Sequence, residues 1–447
     1  MTNITSTLAE LVVHSKPDSE ALKSAQKGLI DYFASSLTAK DSGTGKHLKE
    51  WFKEEGGHMQ VPLIGQHTSA SAKQAALFNG YLGHALDLDD VHTEVRGHPS
   101  TVIIPALLSA GASGEFSGKR FLEAYTIGVE VMARMGLAIG NEHYTKGWHN
   151  TATLGGIAAA CACAYLKEFT VKQTERVIGL AATQASGMRN QFGTETKPLH
   201  AGLAAEQAYS SVRFIEFGLS SSRESLDGEN GFLNLYGADE HQADLLTSDW
   251  GHSWRITSPG LWFKVYPFCS AAFHAADATF ELLTQSNVQV ENIQRIEVIF
   301  PPGGDAALVN KCPKNTDEGR FSVEYVVALI LIKKSVSLDD FNQGTIGADI
   351  RALMDKINRR HDPDITASRR SAPKGRFTIV RLFQEDGEVL EARVDAPTGS
   401  PQKPLKLSQL EQKLRDSCDE TQFENIKKAV NELSSVEQLT NLLKALY

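Results

Sequence analysis

Two apolar segments, residues 75–86 and 101–108, enclose fourteen mostly polar residues, Asp87-Leu-Asp-Asp-Val-His-Thr-Glu-Val-Arg-Gly-His-Pro-Ser100. The stretch holds four acidic side chains, two histidines and an arginine. A surface loop carries such polarity at little cost. Pinned between apolar helices, the same residues are drawn inward, and charges there must be paired or hydrogen-bonded. The stretch is therefore expected to line a pocket, and a fold for this chain must supply partners for it.

The remaining totals mainly exclude. A chain of 447 residues is long enough for two or three domains with proper cores. Its net charge of −9 and the lack of a Lys/Arg-rich run argue against nucleic acid as the main partner. The five cysteines (161, 163, 269, 312 and 418) form no C-x-x-C pair, so neither a disulfide framework nor a zinc ribbon is expected. A reducing cytoplasm is the simplest location. The first residues show no signal-peptide pattern, and no apolar run reaches membrane-spanning length.

Residues 1 to about 260 read as successive helices. Leu22, Ala25, Leu29, Ile30, Phe33 and Leu37 form one stripe. Further helices are expected over 72–86, 121–137, 154–166, 171–185 and 203–217, and no alternating strand of useful length is expected in this half. The character changes near residue 290. Ile293 to Phe300 alternates and is β-branched, and Pro301-Pro-Gly-Gly304 ends it. The runs 376–383 and 388–394 flank Asp386-Gly387, a hairpin signal. A helix is expected over 321–332 and an apolar helical stripe over 423–446. The fold class is mainly α: a large all-α domain over 1–265 and 398–447, and a smaller α+β domain over 266–397.

Four other stretches carry unusual polar groups: His143-Tyr-Thr-Lys-Gly-Trp-His149, Phe192 to Gly202 with Lys197, Lys264 to Ser270 with His274 beyond, and Arg320 to Tyr325. Thr151 or Thr153 is expected to cap the helix after His149. Lys197 precedes a proline, which places it on an extended or turn segment. Each stretch also has a plain reading: a solvated Lys-Pro turn, a core histidine beside Trp148, a structural Tyr144, a buried small Cys269, a core Tyr325. The functional reading requires that they converge. His84, Asp87, Asp89, Asp90, His92 and His98 are chemically able to bind a metal, yet none of the spacings matches an H-E-x-x-H or EF-hand pattern, and no metal is assigned. Neither a P-loop, a G-x-G-x-x-G after a strand, nor a G-x-S-x-G elbow is present.

Five ordered motifs carry a resemblance: Gly83-His-Ala-Leu-Asp-Leu-Asp-Asp90, Gly97-His-Pro-Ser100 with Ile104-Pro105, Gly147-Trp-His149, Thr196-Lys-Pro-Leu-His200, and Tyr266-Pro-Phe-Cys269 with His274. On these the chain resembles the MmgE/PrpD family, which includes 2-methylcitrate dehydratase, cis-aconitate decarboxylase and iminodisuccinate epimerase. The resemblance implies a helical domain, an α+β lid, a C-terminal return to the helical domain, a homodimer, no cofactor and a small polycarboxylate substrate. It implies an active site in the cleft between domains, with Asp87, His98, His149 and Lys197 there and Tyr325 on the lid side. The dehydratase branch continues its His-Pro-Ser with Asp-Asn, where this chain has Thr101-Val-Ile-Ile. The vertebrate-type decarboxylase has a histidine in place of Cys269 and no tyrosine matching Tyr144. The epimerase branch shares Arg96-Gly-His-Pro-Ser100, His143-Tyr144 and the Thr-Lys-Pro run, so the resemblance leans to epimerisation. Decarboxylation is the alternative, and dehydration or mere polycarboxylate binding comes after it.

The family's reactions place negative charge on a carbon beside a carboxylate, which cations and hydrogen-bond donors must meet. Lys197, Tyr144, His98, His149 and Asp87 are the candidate catalytic groups. Arg96, Ser100, Thr196, His200, Lys264, Cys269 and Tyr325 are the candidate substrate-binding groups, with Arg96, Lys264 and His98 suited to carboxylates. In epimerisation Tyr144 and Lys197 would exchange a proton on opposite faces of one carbon. In decarboxylation His98 or His149 could supply the proton.

Overall fold

The computed structural model describes residues 3–112, 116–237, 241–285, 287–342 and 344–447. The chain divides into two compact units. The first comprises residues 1–190, 195–261 and 406–447; the second comprises 191–194 and 262–405. Among the described residues no helix is long and apolar enough to cross a membrane.

The first unit is helical and is built around contacts between small residues. Its central elements are α1 (Ser19–Thr38), α2 (Ala72–His84), α3 (Ser100–Gly111), α4 (Gly118–Ile139), α5 (Gly155–Leu166) and α6 (Thr196–Glu216). α2 begins at a capping box, in which Ser71 and Gln74 satisfy each other's backbone N–H groups. Every residue of α5 is buried, in keeping with a sequence almost wholly of small or apolar residues. α2 and α6 touch backbone to backbone. A Cβ on Gly80 would lie 2.8 Å from the Gly202 Cα, and one on Gly202 would lie 2.2 Å from the Leu77 carbonyl oxygen. Only glycine at both positions permits this crossing. The crossing sets the C-terminal end of α2, with His84, beside the N-terminal end of α6, with Lys197.

Two local expectations are corrected. Lys197 is the second residue of α6 and not part of an extended segment, because Pro198 falls in the first turn, where a helix has no use for its missing N–H. This half also contains a β-ribbon, β1 (Val61–Leu63) paired antiparallel with β2 (Thr68–Ala70). Three-residue strands are too short to show alternation.

The second unit carries a four-stranded sheet in the order β4-β3-β5-β6, with β3 (Ile293–Phe300), β4 (Ile357–His361), β5 (Thr378–Gln384) and β6 (Val389–Val394). β3 runs parallel to β4 and antiparallel to β5. β5 and β6 form the hairpin expected at Asp386-Gly387, with Gly387 at φ 89°. Helices Phe273–Gln285 and Val323–Lys333 belong to the same unit. Ile299, Phe377 and Ile379 form one of its apolar clusters.

Residues 406–447 return to the first unit as helices. The helix Leu407–Arg415 carries Lys413, whose Nζ donates to Asp31 Oδ1 on α1 and to the Leu88 carbonyl, each at 2.7 Å. The C-terminal segment thus holds the start of the polar stretch between α2 and α3.

Candidate active site

The polar stretch folds inward, and its side chains divide into two groups. One group anchors the backbone. His92 Nε2 lies 3.0 Å from the Arg255 carbonyl, and Glu94 pairs with the Arg255 guanidinium at 2.7 Å. Burial pushes the His92 imidazole down to about 4, so the ring is neutral and donates that bond. Asp90 accepts from the Ser100 N–H at 3.3 Å and from its hydroxyl, and that hydroxyl also meets Tyr125. Burial, with Asp31 nearby, holds the Asp90 carboxyl well above the usual range. Ser100 is fully buried and ties the stretch to the start of α3.

The other group converges on Lys197. Nζ of Lys197 lies 2.8 Å from His84 Nε2 and 2.9 Å from Asp87 Oδ1. Both Asp89 oxygens lie 2.9 Å from His84 Nδ1. His98 places Nδ1 3.3 Å from Asp89 and Nε2 3.6 Å from Asp87. The His84 ring centroid is 4.3 Å from that of His98 and 6.1 Å from that of His149. His149 Nδ1 meets His200 Nδ1 at 3.1 Å. Lys197 and Asp87 are each only 4% exposed, so water does little of the solvation here.

Electrostatics follow from this crowding. Burial lowers His84 to about 3 and takes His149 well below its ordinary range, with Lys197 adding to both effects. Burial lowers His200 too, again with Lys197. Burial alone would raise Asp89, but the two imidazoles beside it, His84 and His98, hold its carboxyl well below the usual range. The site thus sets two aspartates against one lysine, with the neutral ring of His84 between Asp89 and the amine.

Asp87 and Arg96 have φ of 52° and 54°. Non-glycine residues rarely adopt this region, at a cost of order 1–3 kcal/mol each, and such outliers gather at functional sites. Asp87 reaches Lys197 from this conformation. The Arg96 guanidinium lies 5.6 Å from the centre of the Tyr144 ring, and Arg189 covers the same ring at 3.9 Å. Arg189 also donates to the Tyr144 carbonyl at 2.7 Å. The segments 147–149 and 187–189 pair antiparallel through a Trp148–Met188 bridge, which sets Arg189 opposite Gly147 and Gly187 opposite His149.

The remaining predicted residues are placed as follows. Thr196 is the exposed first residue of α6. Lys264, Cys269 and Tyr325 lie in the second unit, all buried. The Tyr325 hydroxyl donates to the Asp340 carbonyl, and its ring packs against Phe341. Neither Thr151 nor Thr153 caps a helix by its side chain: Thr151 Oγ1 accepts from the His98 N–H at 3.2 Å, and Thr153 meets His143 Nε2 at 2.8 Å. Sequence reasoning alone misses Arg189 and Lys413, and it reaches His84 and Asp89 only as metal candidates. The glycines of the α2–α6 crossing are the available signal for His84.

The ligand atoms of His84, Asp87, Asp89 and His98 lie within 4.8 Å of one another, a spacing a metal ion could bridge. Lys197 already places its amine against two of these four, so a cation of the protein's own stands where a metal would have to enter. The donor set serves as a cradle for that amine.

Comparison with known proteins gives the following. A family profile described as the MmgE/PrpD N-terminal domain matches residues 2–243, and one described as the MmgE/PrpD C-terminal domain matches residues 266–435. Cis-aconitate decarboxylase of Mus musculus is 27% identical over 391 residues, covering 83% of this chain and 78% of the relative. The Homo sapiens protein of that name is 26% identical over 394 residues, covering 83% and 79%. A cis-aconitate decarboxylase-like protein of Aspergillus oryzae is 25% identical over 477 residues, covering 99% and 96%.

Proposed function

The chain belongs to the MmgE/PrpD family, and we propose that it is a cofactor-independent lyase that removes CO2 from a small tricarboxylate, cis-aconitate in the first instance, with Lys197 as the acid. The observation that carries this reading is the Lys197 amine held at 2.8 and 2.9 Å between His84 and Asp87 in a buried site with His98 and His149. Two of the named relatives are cis-aconitate decarboxylases and the third is a cis-aconitate decarboxylase-like protein, which favours decarboxylation over the epimerisation to which the motifs lean.

The step balances simply. The bond from the methylene carbon to its carboxylate breaks and CO2 leaves. The electron pair forms a new C=C bond, and the pair of the old C=C moves to the carbon beside a remaining carboxylate. That carbon takes one proton, giving itaconate. An ammonium at Lys197 supplies the proton and favours the developing negative charge. His98 and His149 orient the substrate by hydrogen bonds, and Arg96 with Arg189 is suited to a carboxylate. A homodimer is proposed on the family resemblance.

The two guanidiniums close to the Tyr144 ring favour a second reading, proton exchange at one carbon with Tyr144 as the other acid/base group. Proton NMR in D2O with cis-aconitate, 2-methylcitrate and iminodisuccinate separates the readings. Itaconate from cis-aconitate supports decarboxylation. Deuterium entering an unchanged iminodisuccinate skeleton supports exchange and rejects it. Tyr144→Phe is expected to leave decarboxylation within about tenfold but to lower exchange by about 10²–10⁴-fold.

A further inference from the structure

We infer that Asp89 and His84 form a positioning pair that fixes the Lys197 amine by imposing one tautomer on the His84 ring. This pair deepens the proposed role of Lys197 and rests on it. Asp89 presents both oxygens to His84 Nδ1 at 2.9 Å. A carboxylate only accepts, so Nδ1 carries the hydrogen. A neutral ring then has a bare lone pair at Nε2, and Lys197 Nζ lies 2.8 Å from it. The amine therefore donates to Nε2 and, at 2.9 Å, to Asp87 Oδ1. Two acceptors at fixed angles also fix the direction of the third N–H of an ammonium.

The pair is rigidly supported. His84 ends α2 with its side chain fully shielded, and the Asp89 side chain is fully shielded as well. The Asp87 N–H donates to the His84 carbonyl at 3.1 Å, so the turn bringing Asp87 to Lys197 starts from the residue that carries the ring. His98 Nδ1, 3.3 Å from Asp89 Oδ2, meets the same carboxylate from a second side. Neither His84 nor Asp89 needs to touch substrate; both act through Lys197.

An asymmetric set of variants is expected. Asp89→Asn can turn its amide toward Nδ1 and move the ring hydrogen to Nε2, where it opposes the Lys197 donor. A wrong tautomer of a catalytic histidine costs on the order of 10⁴ in other systems, and a loss of roughly 10²–10⁴ in kcat with KM within about threefold is expected here. His84→Gln leaves Asp89 and His98 in place and offers a carbonyl oxygen to Lys197, so it retains at least about tenfold more kcat than His84→Leu.

The deciding experiment is 15N NMR of the full chain labelled at histidine, with His84→Gln assigning the signal. The expected result is Nδ1 protonated and Nε2 bare in the wild type, and the reverse in Asp89→Asn. A wild-type His84 protonated at Nε2, or a His84→Leu variant with unchanged kcat on cis-aconitate, overturns the positioning role. The NMR result needs no substrate. If cis-aconitate is not turned over while the tautomer is as stated, the decarboxylase reading fails and the positioning pair stands.

Discussion

Replacing Lys197 by methionine probes both the energetics and the chemistry of the site. Nζ and Asp87 Oδ1 are 2.9 Å apart, with both side chains 5% exposed. At an effective dielectric of 20, that separation corresponds to about 6 kcal/mol of attraction, much of it offset by desolvation. Removing one member of a buried ion pair while the other stays charged typically costs about 3–5 kcal/mol. Lys197→Met is therefore expected to lower the free energy of unfolding in urea by about that amount. Adding Asp87→Asn removes the remaining charge and should return at least half of the loss. Turnover behaves differently: a general acid contributes about 10²–10⁴-fold, so kcat falls by that factor in the single variant and stays low in the double variant. A single variant as stable as wild type, or a double variant that regains activity as well as stability, would refute the charge-pair argument.

Two further outcomes concern stability. Lys413→Met takes the ammonium away from buried Asp31 and from the Leu88 carbonyl, so it should destabilise the chain by about 3–5 kcal/mol; Asp31→Asn in the same chain should restore stability, measured by urea midpoint. Stability should also fall as pH drops from about 6.5 to about 4. His84 is lowered to about 3 and His92, His143 and His274 to about 4, in each case chiefly by burial. In that window the unfolded chain binds protons that the folded chain refuses, and each such histidine contributes up to about 1.4 kcal/mol per pH unit. An unchanged urea midpoint between pH 7 and pH 5 would contradict the buried, neutral assignments.

The helical half and the hairpin at Asp386-Gly387 are legible in the sequence because they depend on local periodicity and turn chemistry. The polar stretch is legible as an inward-facing segment for a similar reason: its apolar flanks leave it no other place. Its division of labour is not. His92 and Asp90 resemble Asp87 and His98 in sequence, and only Arg255 and Ser100, brought close by the fold, turn the first two into anchors. Lys413 lies 325 residues from Leu88, so no spacing rule reaches it. His84 is within reach, since glycines at 80 and 202 already permit the helix crossing that joins it to Lys197. The proline after Lys197 misleads because Pro198 opens a helix as readily as it ends one.

If a fixed protein acid at Lys197 protonates the carbon left by decarboxylation, the new hydrogen must arrive from one side only. Cis-aconitate turned over in D2O, with the product examined for the position and handedness of its label, tests this most directly. The expected product is itaconate with one deuterium, on a single face of the carbon beside the carboxylate, formed at a rate at least about 10²-fold lower by Lys197→Met. Itaconate labelled equally on both faces, or label exchanged into cis-aconitate without loss of CO2, would contradict it.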